Sequence, residues 1–131
     1  MILKKNKKNI NLGLLIKISL FFFFSLGTFA ETIEKKYAYF KLLNKTTNKV
    51  SQKKINVNTS YNWETLIIEV LHCASTPSTE IPEDYVLIDV YDLVNKEKIN
   101  IYKGWMISSS PEVTPMENPI YDLWLIDCTN E

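Results

Sequence analysis

The side chains that could do chemistry are few and unevenly placed. Residues 104–128, GWMISSSPEVTPMENPIYDLWLIDC, contain a serine triplet, three prolines, two methionines, two of the three tryptophans and one of the two cysteines. A nucleophilic serine needs a base within reach and a third group that orients the base. His72 is the only histidine, and no Gly-x-Ser-x-Gly elbow surrounds Ser108, Ser109 or Ser110. These serines are therefore read as backbone-bonding residues at a strand exit before Pro111.

Five aspartates, Asp84, Asp89, Asp92, Asp122 and Asp127, offer acid/base chemistry if one is desolvated beside another. Their spacing matches no calcium loop, and their positions at strand ends and turns point to solvated or turn-bonding roles. Met106, Met116, His72 and Cys73 are a soft ligand set that would suit copper. The methionines are scattered and Cys73 has a possible disulfide partner, so no metal and no cofactor are expected. Asn44 and Asn58 begin Asn-x-Ser/Thr matches, read as chance in a lysine- and asparagine-rich chain.

The aromatic residues are the stronger candidates. Trp105, Tyr121 and Trp124 flank the segment of Pro111, Pro115 and Pro119, with Asp122 between two of the rings. Such rings can hold a peptide, a glycan edge or a partner's side chain, and prolines lower the entropy lost on docking. Gly104 is read as a bulge or close approach that re-aims Trp105. The competing reading makes the rings core and Asp122 a turn acceptor at Asn118-Pro119. Strict alternation places Trp124 with Ile120, Ile126 and Cys128 on one face, the core side, and Tyr121 with Leu123 and Leu125 on the other.

The elements that must position these residues read as strands. Tyr37 to Leu43 is aromatic and apolar, and residues 49–58 alternate. Trp63 to Cys73 is apolar on both faces, as in a central strand covered on two sides. The segment ASTPSTEIPED is a loop. Tyr85 to Asp92 alternates with Val86, Ile88 and Val90 inward and Leu87 and Asp89 outward. Asn95-Lys96 turns the chain into Lys98 to Met106, and Ile120 to Cys128 is the last strand. A short helical turn near Val113 to Met116 is also expected. Gly104 is the only glycine after Gly27, so turns fall to Asn, Asp, Ser and Pro. The expected fold is all-β: a small antiparallel sandwich or barrel of six or seven strands, closed by one disulfide.

The first thirty residues have another purpose. Lys4, Lys5, Lys7 and Lys8 precede an apolar run from Ile18 to Leu26, and Thr28-Phe29-Ala30 suits signal peptidase. We read residues 1–30 as a secretory signal cut between Ala30 and Glu31, and residues 31–131 as a single β domain. An uncleaved inner-membrane anchor is the rival, but Lys17 interrupts a stretch that only approaches the roughly 20 apolar residues a span needs. No cysteine lies at the cut, so no lipid anchor is expected there. Beyond the cut remain ten lysines, no arginine and fifteen acids, a net charge of −5. Residues 31–60 hold seven of those lysines and two of the acids. An acidic domain without guanidinium groups is a poor partner for nucleic acid. Export places Cys73 and Cys128 in an oxidising compartment, where one pairing is possible; two buried thiols are the alternative.

Gly104-Trp105-Met106, Ser109-Ser110-Pro111, Pro119-x-Tyr121-Asp122-x-Trp124 and Asp127-Cys128 together resemble an uncharacterised family of exported Gram-negative bacterial proteins, domain of unknown function 2155. The likeness extends upstream through the strand at Tyr85 to Asp92 and the strand ending in Cys73, where Leu71-His72 departs from a basic pattern. It implies a periplasmic domain and supplies no catalytic residue. The reading is thus an exported, non-catalytic binding or envelope-structure module, its partner an envelope protein, peptide or glycan, with membrane contact only through the signal during export. A small periplasmic enzyme acting on envelope material, or a secreted inhibitor or effector, is the alternative. Mass spectrometry of the envelope fraction is expected to find Glu31 as the N-terminus; dominant peptides spanning Ala30-Glu31 would overturn the cleavage.

Overall fold

The computed structural model describes residues 31–131, so the signal segment and the Ala30-Glu31 cut lie outside the described residues. Eight strands follow one another with no helix among the described residues: β1 (Ile33–Glu34), β2 (Tyr37–Asn44), β3 (Lys49–Asn56), β4 (Thr59–Trp63), β5 (Leu66–Ser75), β6 (Asp84–Val94), β7 (Glu97–Ile107) and β8 (Tyr121–Thr129). They form two antiparallel sheets, one of five strands in the order β1-β5-β6-β7 with β4 also on β5, and one ordered β3-β2-β8. The expected sandwich is therefore present. It has eight strands rather than six or seven because two short ones, β1 and β4, share the same edge of β5.

The β4 strand escapes notice in the sequence because two tight turns surround it. Val57-Asn58 separates β3 from β4 and Glu64-Thr65 separates β4 from β5. Asn48, Asn58 and Asn95 take positive φ at their turns, the left-handed region that asparagine tolerates best after glycine. Glu64 and Lys96 take positive φ without that advantage. Asn95-Lys96 joins β6 to β7 as expected. The short helical turn expected near Val113 to Met116 is not there; a single turn lies just upstream, closed by the Val113 amide on the Ser110 carbonyl at 3.1 Å.

The core lies between the sheets. Ala38, Phe40 and Leu42 from β2, Leu66, Ile68 and Val70 from β5, Val86, Ile88 and Val90 from β6, and Leu123 and Leu125 from β8 are buried in it. Alternation in β2 and β6 is as clean as the period of a strand requires. The β5 strand is not covered on two sides. Ile67 and Glu69 are half-buried on its outer face and Leu71 is exposed. Its two-sided apolar pattern has a different cause: the pairing with β6 slips between Val70 and His72, so Leu71 is an extra residue. Before the bulge even-numbered residues point inward; after it Cys73 does.

A second bulge acts likewise in β8, where Ile126 is extra against β2. Tyr121, Leu123 and Leu125 face inward before it and Cys128 faces inward after it. Strict alternation puts Cys128 on the face of Trp124 and Ile126; the bulge moves it to the other. Cys73 and Cys128 are joined as a disulfide with Cα atoms 5.8 Å apart, tying the five-stranded sheet to the three-stranded one. For a separation of 55 residues, restriction of the unfolded chain contributes about 4 kcal/mol. Cys128→Ser is expected to lower the unfolding free energy by that order in a denaturant titration. Identical melting of the oxidised and reduced protein would show that the cross-link adds nothing.

Candidate functional site

Residues 108–120 run from the end of β7 to the start of β8 and are fixed along their length. At one end Glu83 accepts hydrogen bonds from the Ser108 hydroxyl at 2.9 Å, the Ser109 amide at 3.0 Å and the Ser109 hydroxyl. In the middle, the Tyr102 hydroxyl lies 3.2 Å from the Thr114 carbonyl and Met116 is buried in the core. At the far end buried Asn118 donates to Asp92 at 3.3 Å and accepts from the amides of Ile120 and Tyr121. Lys45 closes the corner, donating to the Asn118 carbonyl at 2.6 Å and to Asp122 at 2.9 Å. The segment is a strap, held mostly by polar contacts, beside the edge of β8 that no strand covers among the described residues.

A groove of about 350 Å³ separates strap from strand, with Pro111, Glu112, Pro115 and Met116 on one side and Asp122, Leu123 and Trp124 on the other. Trp124 lies half-buried on the outer face of the three-stranded sheet, with the Lys41 ammonium 5.4 Å from its ring centre. That overturns the core placement of Trp124. Tyr121 is the opposite case: at 4 % exposure it belongs to the core, which removes it from any binding surface. Asp122 pairs with Lys45, and Asn118 itself accepts the backbone bonds of its corner.

Trp105 is not part of this groove. It pairs across β6 with Leu87, between strand positions whose side chains enter the core, and is 46 % exposed on the outer face of the five-stranded sheet. Its ring meets His72 edge-on at 5.7 Å. Trp105 and Trp124 therefore face away from each other on different sheets. Gly104 makes no bulge; the slip in β7 is at Ile101. A Cβ at Gly104 would lie 3.6 Å from the Tyr102 hydroxyl, in ordinary contact, so the Tyr102 ring does not by itself require a glycine there. That ring's hydroxyl reaches both the Trp105 carbonyl, at 2.9 Å, and the strap.

The other candidates are occupied structurally. Ser108 and Ser109 donate to the Glu83 carboxylate rather than to the backbone groups expected, although the Ser108 hydroxyl also accepts from the Asp84 amide at 3.2 Å. Met106 and Met116 are core and Cys73 is cross-linked, so the sulfur atoms of this set are engaged in packing and in the disulfide. Two aspartates read as solvated are in fact buried. Asp89 accepts from Asn100 and pairs with Lys103 at 3.0 Å, while Asp92 accepts from Thr65 at 2.6 Å and from Asn118. Burial pushes the Asp89 carboxyl up, but hydrogen bonds from Lys103, Tyr91 and Asn100 outweigh it and hold the group below its ordinary value.

The fold and groove define a disulfide-closed type of β-sandwich with a strapped edge. The chain matches the family described as an uncharacterised protein conserved in bacteria, domain of unknown function 2155, over residues 38–128, and belongs to it. No curated protein and no solved structure matches the chain. Among the described residues, no helix is long and apolar enough to cross a membrane.

Two carboxylates at the disulfide end have opposite shifts. Burial raises Glu83, yet the bonds from Ser109, Ser108 and the Asp84 amide bring it below its ordinary 4.5. Burial and the nearby Asp84 charge raise Asp127 above 3.8. A depressed carboxylate stabilises the fold above its unfolded value and loses that contribution as pH falls through the folded value. A raised one destabilises at neutral pH and ceases to do so once both states are protonated. Thermal melting from pH 7 down to pH 2 is expected to fall less steeply in Glu83→Gln below about pH 4.5. Asp127→Asn is expected to melt higher than the unsubstituted protein at pH 7, with the difference vanishing in acid.

Proposed function

We propose that this protein is an exported periplasmic domain that works by binding, and that the occupant of its groove is an extended segment of an envelope protein. The uncovered edge of β8 beside a strap with three prolines carries the reading. An edge strand presents unpaired amides and carbonyls, and an extended peptide can add to it as a further strand. Trp124 beside that edge supplies the large apolar contact that dominates peptide affinity, and the pinned strap loses little freedom on docking.

The groove's charges suit recognition better than catalysis. The Lys45 ammonium is engaged by both a carboxylate and a carbonyl, which fixes it as part of the groove's corner. Glu112 and Asp122 on the lining, with Lys41 and Lys45 beside it, provide both signs for the ends or side chains of a peptide. Export is supported by the signal-like order of residues 1–30 and by a disulfide that an oxidising compartment would maintain.

Envelope-protein peptides passed over the immobilised protein are expected to be retained, with Trp124→Ala weakening retention at least tenfold, about 1.4 kcal/mol. The same change should leave melting nearly unaltered, whereas Tyr121→Ala should lower melting sharply through loss of core packing. Unchanged peptide retention by the Trp124 variant would overturn the groove.

A further inference from the structure

The edge of β5 opposite β6 is interrupted. There β4 pairs as far as Val70, and β1 resumes at Ala74. Among the described residues, Leu71 and His72 between them have no strand partner on that side. The gap opens into a cleft of about 530 Å³, remote in sequence from the strap and formed by other strands. Its ends are fixed by backbone bonds: the Asn58 amide to the Val70 carbonyl at 2.7 Å and the Lys35 amide to the Cys73 carbonyl at 2.8 Å.

The lining is polar and weighted towards cations. Lys35, Lys36 and His72 contribute nitrogen groups, Asn56 and Asn58 contribute amides, and Glu34 is its one carboxylate. Among the described residues, the lysines in ion pairs are Lys45, Lys98 and Lys103; Lys36 and Lys35 have no carboxylate at bonding distance, though the Lys35 charge also acts on Asp127 outside the lining. His72 is held at the bulge by edge-on contact with Trp105. Leu71 and Val57 add a small apolar wall.

We infer that this cleft binds a small phosphorylated polyol, such as a sugar phosphate. Two ammonium groups and an imidazole can surround a tetrahedral oxyanion, while the two amides and Glu34 can bond hydroxyls. The volume accommodates a phosphate with a sugar-sized body, within the range of small-molecule sites. A concave cleft also favours a soluble molecule over a phosphate on a flat membrane surface. Local backbone geometry supports the same reading, since bulges occur often beside binding sites because they re-aim side chains. This site is independent of the peptide groove.

The test is titration of the purified full chain with glucose 6-phosphate, monitored by calorimetry and by the amide signals of Lys36 and His72. Saturable binding is expected, with glucose alone at least tenfold weaker and inorganic phosphate intermediate. Lys36→Gln combined with His72→Gln is expected to weaken glucose 6-phosphate at least tenfold without lowering the melting temperature. Trp124→Ala, which disables the peptide groove, should leave this binding intact. Equal affinity for glucose and glucose 6-phosphate would overturn the proposal. So would unchanged binding in the double variant, a fold lost in that variant while Lys36→Gln alone binds normally, or association only with anionic phosphatidylglycerol vesicles.

Discussion

The two cysteines can meet only if both point between the sheets, and neither strand's alternation allows that by itself. In β5 the inward residues before the bulge are Leu66, Ile68 and Val70; in β8 they are Tyr121, Leu123 and Leu125. An uninterrupted strand would turn Cys73 and Cys128 outward, on opposite sides of the molecule. One extra residue in each strand, Leu71 and Ile126, reverses the inward-outward parity of the residues beyond it. The cross-link between sheets thus depends on two matched irregularities, and each displaces an apolar side chain towards solvent.

Those displacements account for much of the surface. The Leu71 bulge brings Leu71 and His72 together opposite Leu87, next to Trp105, and it coincides with the interrupted edge where β4 ends and β1 has not begun. The Ile126 bulge restores Cys128 to the interior while leaving the earlier part of β8 in its own register. Trp124 therefore remains outside, beside Lys41, and Tyr121 remains inside. One local device, used twice, separates a buried cross-linked layer from two distinct outer faces.

The same feature divides the legible from the illegible in the sequence. Strand class, the Asn95-Lys96 turn, the clean alternation of Tyr85 to Asp92 and the pairing of the only two cysteines all depend on local pattern or on counting. The roles of Trp124 and Tyr121 depend on which face of β8 meets the core. A strict period of two cannot decide that when Cys128 is wrongly assumed to share Trp124's face. Asp89 reads as solvated because outward positions on an antiparallel sheet usually are. It is covered by Asn100 and Lys103, brought to it by the β7 pairing that is itself slipped at Ile101, and by Tyr91 two residues along its own strand. Nor could spacing show that Asp92 and Asn118 would meet across the strap, because that contact joins residues separated by the whole of β7.

The strap resolves a problem that the disulfide leaves open. The cross-link fixes the sheets to each other at one end of β5 and β8, but β8 still has an uncovered edge, and such edges invite pairing with other chains. Regular pairing of residues 108–120 to that edge is obstructed by three prolines, which lack the amide donors a ladder needs. The chain instead runs alongside it, held by Tyr102 and Asp92 on the other sheet and by Glu83 just before β6, and the Lys45 corner brings it back into β8. Protection of the edge and the recognition proposed for it would then have the same origin. A strap pinned to the opposite sheet but not paired to β8 obstructs indiscriminate strand addition, and on the reading proposed above the space it leaves is where one selected segment would enter.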